Sequence, residues 1–300
     1  MSEITTYSPE ELSQRDLHNL LLTAVAPRPI CFASTIDLDG KVNLSPFSFF
    51  NVFSSKPPVM VFSPARNGRD NTLKHTLQNI YEVKEVVINI VNHSLVEQMS
   101  LASTAYDKGV NEFVKSGLTQ VSSDKIRPPR VGEAPVALEC TVDQVIELGD
   151  QGGAGNLVIA RVVRIHLNDK YLDETGKLDT HKLDLVARMG GSWYCRANSS
   201  ALFEIPKPVR TKGLGIDLLP QSIRESSVLT GNNLGRLGNL ERLPESSEVL
   251  TIRNHPEIKA LIAQTDTTDL KAALHLIGQR WLENNDTEAA IKALMLFDIL

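Results

Sequence analysis

Apolar positions over the first two thirds of this 300-residue chain come in short runs or alternate with period two, whereas in the last third they recur every three to four residues. Residues 29–36 are apolar around Cys31 and Phe32 and run into Asp37-Leu38-Asp39-Gly40, which predicts a strand entering a tight turn. The return segment, residues 43–51 (NLSPFSFFN), alternates small polar with apolar side chains. Its Pro46 cannot donate to a ladder, so the segment predicts a strand with one free edge. Residues 58–63 and the β-branched run 85–91 predict two further strands. Residues 136–148 and 157–167 flank the cluster Gly149, Gly152, Gly153, Gly155 and together predict a long hairpin.

Helical signals between these strands are few. Ser8-Pro9-Glu10-Glu11 carries a cap, a proline at the first helical position and a glutamate three after the cap, predicting a helix to about Leu22. A polar loop, 64–71, leads into a predicted helix at 71–81, and a short helix is expected at 95–102. Residues 105–133, with Pro128, Pro129 and Gly132, read as irregular. Strands of uneven length with few intervening helices predict a barrel or sandwich rather than a doubly wound sheet. After Pro206 and Pro208 the character changes, which places a boundary between residues 1–208 and a helical extension, 209–300. There Leu270, Leu274, Ile277 and Trp281 form one helical stripe, and Ile291, Leu294, Met295 and Ile299 form a second behind the cap Asp286. Both stripes read as core.

Composition narrows the function classes. Hydrophobic content of 42% with 22% charged residues is that of an ordinary globular protein. The net charge of −5, from 31 basic and 36 acidic residues dispersed along the chain, argues against a duplex nucleic-acid binder. Cys31, Cys140 and Cys195 are odd in number and widely spaced, so neither a disulfide framework nor a zinc site is indicated, and a reducing cytosol fits. Nothing reads as a secretion signal or a membrane span. The seven histidines, His18, His75, His93, His166, His181, His255 and His275, show no metal spacing and read as structural or solvated. No nucleophile elbow, Walker loop or zinc-protease motif is present, and the glycine cluster lacks the context of a dinucleotide fingerprint.

Candidate chemistry centres on Arg66-Asn67-Gly68-Arg69-Asp70-Asn71-Thr72. Two arginines and a hydroxyl before a predicted helix start suggest an anion site, because a helix N-terminus exposes unpaired N–H groups. The plainer alternative is that Asp70 or Asn71 only caps the helix. Ser34 and Thr35, at the end of the first strand, are the other hydroxyls expected to converge on that anion.

Several motifs in order now resemble a family. PRPICFAST, the NLSPFSFFN strand, RDNT followed by Leu73 and Asn79-Ile80, Asn111-Glu112-Phe113, Glu139-Cys140, and Arg188-Met189-Gly190-Gly191 with Tyr194 recur in the flavin reductase-like proteins, which have an FMN-binding split β-barrel. The resemblance covers residues 20–197; the tail, with its LTGNNLG segment, looks like an extension of one subgroup. It implies a split β-barrel homodimer holding FMN at or near the subunit interface. By position, Ser34, Thr35, Arg69 and Thr72, with Asn71 between the last two, would face the phosphate. Pro46, Phe47, Ser48 and Asn51 would face the isoalloxazine, and Arg188 and Gly191 would close the site, unless Gly190 and Gly191 serve only a turn. Many relatives read Lys-Asp-Thr before this helix, whereas here Asp70 and Asn71 both separate Arg69 from Thr72, leaving open which hydroxyl meets the phosphate. The implied chemistry is hydride transfer from NADH or NADPH to flavin, in which the protein supplies geometry rather than a catalytic triad. Alternatives are an FMN-binding carrier or sensor without turnover, and a flavin-free barrel whose tail binds other proteins.

Overall fold

In the computed structural model, which describes residues 4–205, 212–264 and 267–300, the chain divides into two units, Met1–Phe203 and Glu204–Leu300. The boundary expected at Pro206 and Pro208 falls outside the described residues. The first unit contains helix α1 (Gln14–Ala24), strands β1 (Arg28–Pro29), β2 (Cys31–Ile36), β3 (Val42–Phe47), β4 (Phe50–Ser55) and β5 (Pro58–Phe62), then α2 (His75–Glu82) and β6 (Glu85–Ile90). It continues through α3 (Val96–Ala102), α4 (Glu112–Ser116), the ribbon of β7 (Gln120–Val121) and β8 (Arg130–Val131), the hairpin of β9 (Val136–Glu147) and β10 (Asn156–Leu167), α5 (Thr180–Leu183), β11 (Val186–Arg188) and β12 (Tyr194–Arg196).

Seven strands form one antiparallel sheet in the order β3-β2-β6-β9-β10-β5-β4. Strands β3 and β4 are its opposite edges, yet only Ser48 and Phe49 separate them in sequence. Three Cα steps reach at most about 11 Å, so the sheet has to curl until its edges nearly meet. The result is a split β-barrel. The single return strand expected over residues 43–51 is therefore two strands: β3 pairs with β2, and the chain crosses the split at Ser48-Phe49 before β4 pairs with β5.

Alternation along β2 feeds two cores. Cys31 and Ala33 face one cluster with Phe47, Phe62, Leu77, Ile88 and Val158, whereas Ile30 and Phe32 face a second with Leu44, Met99 and Phe113. The Phe47 and Phe62 rings lie 5.2 Å apart. The Ser8 capping box does form, but it closes only a 3-10 turn; the helix starts afresh at α1, where Ser13 accepts from the Asp16 N–H. Helix α2 begins at His75 rather than residue 71, since Asn71 takes a left-handed φ of 59° that no helix can include. Across the β9–β10 hairpin, fully buried Glu139 accepts from the N–H groups of Asp124 and Lys125, each at 2.7 Å, and contacts His166 Nε2 at 2.5 Å. With Asp124 these form a His/carboxylate cluster whose ligand atoms lie within 4.8 Å of one another. Asp124 is itself paired to Arg164 at 3.0 Å, so the cluster is internally saturated and pins the 122–130 loop to the sheet.

The second unit is helical: α6 (Gln221–Arg224), α7 (Gly231–Gly238), α8 (Ser246–Leu250), α9 (Pro256–Gln264), α10 (Thr267–Glu283) and α11 (Thr287–Leu296). The expected stripes pack together in its own core, and Asp286 caps α11 by accepting from the Ala289 N–H. Among the described residues, no helix is long and apolar enough to cross a membrane.

Candidate functional site

The lip of the split at β3 borders two adjoining compartments. The larger, about 550 Å³, is walled by Ser45, Pro46 and Phe47 of β3, by Ser63 and the 65–68 loop, and by Gln14, Arg15 and His18 of α1. The smaller, about 190 Å³, lies between Asn43 of β3, the start of α2, the 102–106 segment after α3, and Glu112 of α4. Ser45, Asn67, Lys74 and Ser103 line both, so the compartments are contiguous.

Local chemistry explains each wall. Asp70 accepts from the N–H and hydroxyl of Thr72 at 3.0 and 2.7 Å, closing a side-chain-mimicked turn instead of capping a helix. The Thr72 hydroxyl, then its N–H, hold the Asp70 carboxyl below its ordinary pKa. No side chain caps α2, whose N-cap position is Lys74, and the amides of His75 and Thr76 open its first turn. Burial, reinforced by the Lys108 and Lys74 charges, lowers the pKa of His75. Glu112 is 5% exposed, and one carboxylate oxygen accepts from the Leu44 N–H at 2.9 Å; burial raises its pKa. Asn43 donates to the Thr76 hydroxyl at 2.9 Å.

Among the described residues no carboxylate lines the larger compartment, which carries Arg15, Arg66 and Lys74, with His18 beside them, in a protein of net charge −5. Arg66 Nη2 is 3.7 Å from Glu147, while its buried Nε has no partner among the described residues. Helix α1 closes over one end because Gln14 Nε2 donates to Gly152 O at 2.5 Å. A Cβ on Gly153, whose φ is +90°, would collide with that amide.

The structure brings Pro46, Phe47 and Thr72 to the compartments and leaves the other sequence-predicted residues elsewhere. Ser34 and Thr35 do not converge: both are fully buried, they face opposite sides of β2, and Thr35 accepts from Asn79 at 3.2 Å. Arg69 is exposed outside both walls. Asn71 spends its amide on Asp150 O at 2.9 Å. Ser48 is half-buried at the crossing, and Asn51 is exposed on β4, accepting from the Val52 N–H. Arg188 donates to Gly191 O at 2.8 Å and stacks on Tyr194 at 4.6 Å, away from the compartments. Both glycines of that turn have structural reasons: Gly191 has φ +58°, and a Cβ on Gly190 would strike Thr23 of α1. Sequence reasoning missed Lys74, Arg15 and His18; the cap pattern at Ser8 belongs to the turn before α1 and said nothing of which way the helix faces.

A family model described as the flavin reductase like domain matches residues 24–182. An uncharacterized protein of Halalkalibacterium halodurans is 36% identical over 203 residues, 67% of this chain and 95% of its own. The crystal structure of nitrilotriacetate monooxygenase component B from Bacillus cereus superposes with a TM-score of 0.64 at 28% identity, covering 68% of this chain and 100% of that one. A protein with a split barrel domain from Shewanella frigidimarina gives 0.57 at 26%, covering 68% and 99%. The helical second unit lies outside the matched residues 24–182.

Proposed function

The chain belongs to the flavin reductase-like family, whose chemistry is flavin-linked oxidoreduction, and from that premise we propose that it binds FMN and oxidises NADH or NADPH. The observation that carries this reading is the junction of an acid-free, cation-lined cleft on Pro46-Phe47 with the uncapped start of α2. An anionic head fits the second place, where Lys74 and the open amides of His75 and Thr76 offer donors. A planar, largely apolar ring system fits the first, and the size falls in the range typical of cofactor clefts. Ser45, Asn67 and Ser103, on the shared wall, suit a polyhydroxyl linker. Bound FMN would supply the two-electron chemistry, taking up hydride from the nicotinamide. The protein's part is to orient both rings against β3 and to exclude water, which needs no dedicated acid or base.

A second copy completes the proposal. Helix α1 is only 11 residues long and buries none of them, although Leu17, Leu20 and Leu21 share one face. Helices this short depend on tertiary packing. Val52 and Phe53 of β4 are 60% and 69% exposed, which adds apolar surface suited to a homodimer. Three free cysteines accord with the cytosol. The test is an absorption spectrum of purified protein supplied with FMN, followed by anaerobic NADH or NADPH. A bound flavin spectrum that bleaches is expected. Bound flavin that neither nucleotide bleaches would leave a carrier or sensor, and no binding would remove FMN altogether.

A further inference from the structure

Resting on the FMN reading above, we propose that Arg15 and His18 of α1 form the subsite for the pyrophosphate of the reduced nicotinamide dinucleotide. The larger compartment carries more positive charge than one flavin phosphate requires: Lys74 sits at the start of α2 and Arg15 stands on another wall beside His18, while Arg66 is 3.7 Å from Glu147. Among the described residues Arg15 is in no salt bridge, and no acidic side chain lines the compartment to neutralise it. Residues three apart on a helix are neighbours on one face, so Arg15 and His18 present adjacent donors, as two linked phosphates require.

Helix α1 itself is held for this purpose at both ends without burying a side chain. Ser13 caps its start and Gln14 ties it to Gly152, while Arg28 Nη1 donates to the Leu22 and Val25 carbonyls at 2.5 and 2.6 Å. Anchoring fixes the helix over the cleft, so the backbone that carries Arg15 and His18 is in place before the dinucleotide arrives. The dinucleotide is thereby separated from FMN by function: one wall takes the cofactor's phosphate and another takes the substrate's.

The experiment uses full-length, FMN-loaded protein and two probes. ADP-ribose has the pyrophosphate and no nicotinamide; reduced nicotinamide riboside has the nicotinamide and no phosphate. In calorimetric titrations, Arg15→Ala should weaken ADP-ribose binding by about tenfold or more, as loss of a charge-assisted hydrogen bond does. His18→Ala should weaken it less, and Arg15→Lys should restore part of the loss. KM for the dinucleotide should rise in parallel with that loss, KM for the reduced riboside should not move, and FMN affinity should stay within about threefold. Circular dichroism checks that the exposed substitutions leave the fold intact. Wild-type protein that holds FMN and is bleached by the dinucleotide, with ADP-ribose affinity indifferent to Arg15→Ala, overturns the subsite and leaves the FMN reading standing. Wild-type protein that takes up neither FMN nor ADP-ribose overturns both.

Discussion

Replacing Lys74 by Ala separates the phosphate contact from every other part of flavin binding. Lys74 is exposed, lies on the wall common to the two compartments and caps α2 with no side-chain hydrogen bond, so its truncation removes a charge without removing a structural contact. A hydrogen bond to a charged group contributes about 1.5–3 kcal/mol, whereas a fully solvated ion pair contributes about 0.2–1 kcal/mol. A lysine at the rim of a half-enclosed pocket falls at the junction of these ranges, about 1.5 kcal/mol, which is about tenfold in Kd. Quenching of flavin fluorescence measures that Kd for FMN and, in parallel, for riboflavin, which has the same rings and ribityl chain without the phosphate. Lys74→Ala should weaken FMN by about tenfold and leave riboflavin within about twofold. Arg69→Ala should leave both within about twofold, because Arg69 lies outside both walls. Equal weakening of FMN and riboflavin by Lys74→Ala would refute phosphate placement at α2, and a loss carried by Arg69 instead would move the phosphate to the outer side of the loop.

Three further outcomes are expected. Burial lifts the Cys31 thiol well above its ordinary pKa and pushes Cys140 up to about 12, so Ellman titration of native protein should find one thiol, half-buried Cys195, and all three in denaturant. Gly278→Ala in α10 should lower the thermal midpoint of the helical unit: the new Cβ would stand 2.7 Å from Leu294 Cγ in a sealed core, an overpacking cost of about 1–3 kcal/mol that exceeds the roughly 1 kcal/mol gain in helix propensity. An unchanged or raised midpoint would show that the helix pair can part. Because burial raises the Glu112 pKa, the folded state keeps a proton that the unfolded chain releases above about pH 4.3. The Glu112 contribution to stability therefore declines as pH rises from there through the folded-state pKa. Glu112→Gln keeps an oxygen for the Leu44 N–H and removes that decline, so in denaturant titrations it should gain on the wild type between pH 4.5 and pH 7; a constant difference would exclude the titration.

The barrel was legible because its strands are fully apolar or cleanly alternating: the hairpin of β9 and β10 has the expected outer ends and differs from its expected span by only one residue on each side of the turn. The crossing at Ser48-Phe49 was not, since nothing local distinguishes a strand that continues from one that changes partner across a split. Ser34 and Thr35 were legible in a stricter sense than the family resemblance allowed. Adjacent residues on a strand point to opposite faces, so two consecutive hydroxyls within a fully buried strand do not share one anion. The start of α2 was misplaced because Asp70 and Asn71 are equally good caps and turn formers, and the left-handed turn at Asn71 is held in part by a contact 79 residues away, the Asn71 amide donating to the Asp150 carbonyl. Lys74, Arg15 and His18 acquire meaning only when the fold brings α1 and β3 to one cleft.

The alternation in NLSPFSFF then acquires a physical reason. Along an antiparallel edge strand, every second residue turns its N–H and C=O outward, and such an edge is a template for pairing with another strand. On β3 the Leu44 N–H points away from β2 into the Glu112 carboxylate, and Pro46, two residues on and facing the same way, has no N–H to give. Both outward donor positions at the centre of the edge are thus removed, one by a buried acid and the other by a ring. The carbonyls of Leu44 and Pro46 remain, so the lip of the split cannot extend a sheet and offers acceptors only. A ligand that docks there has to bring its own donors and lie flat against Pro46 and Phe47. The same two substitutions of ordinary strand chemistry that protect the barrel from aggregation also prepare its open edge to receive a planar heterocycle. Pro46→Ala, which returns a donor to the edge, should therefore weaken ring binding for FMN and riboflavin alike and increase self-association, measurable by analytical ultracentrifugation. If neither changed, the edge would not be the ring's seat.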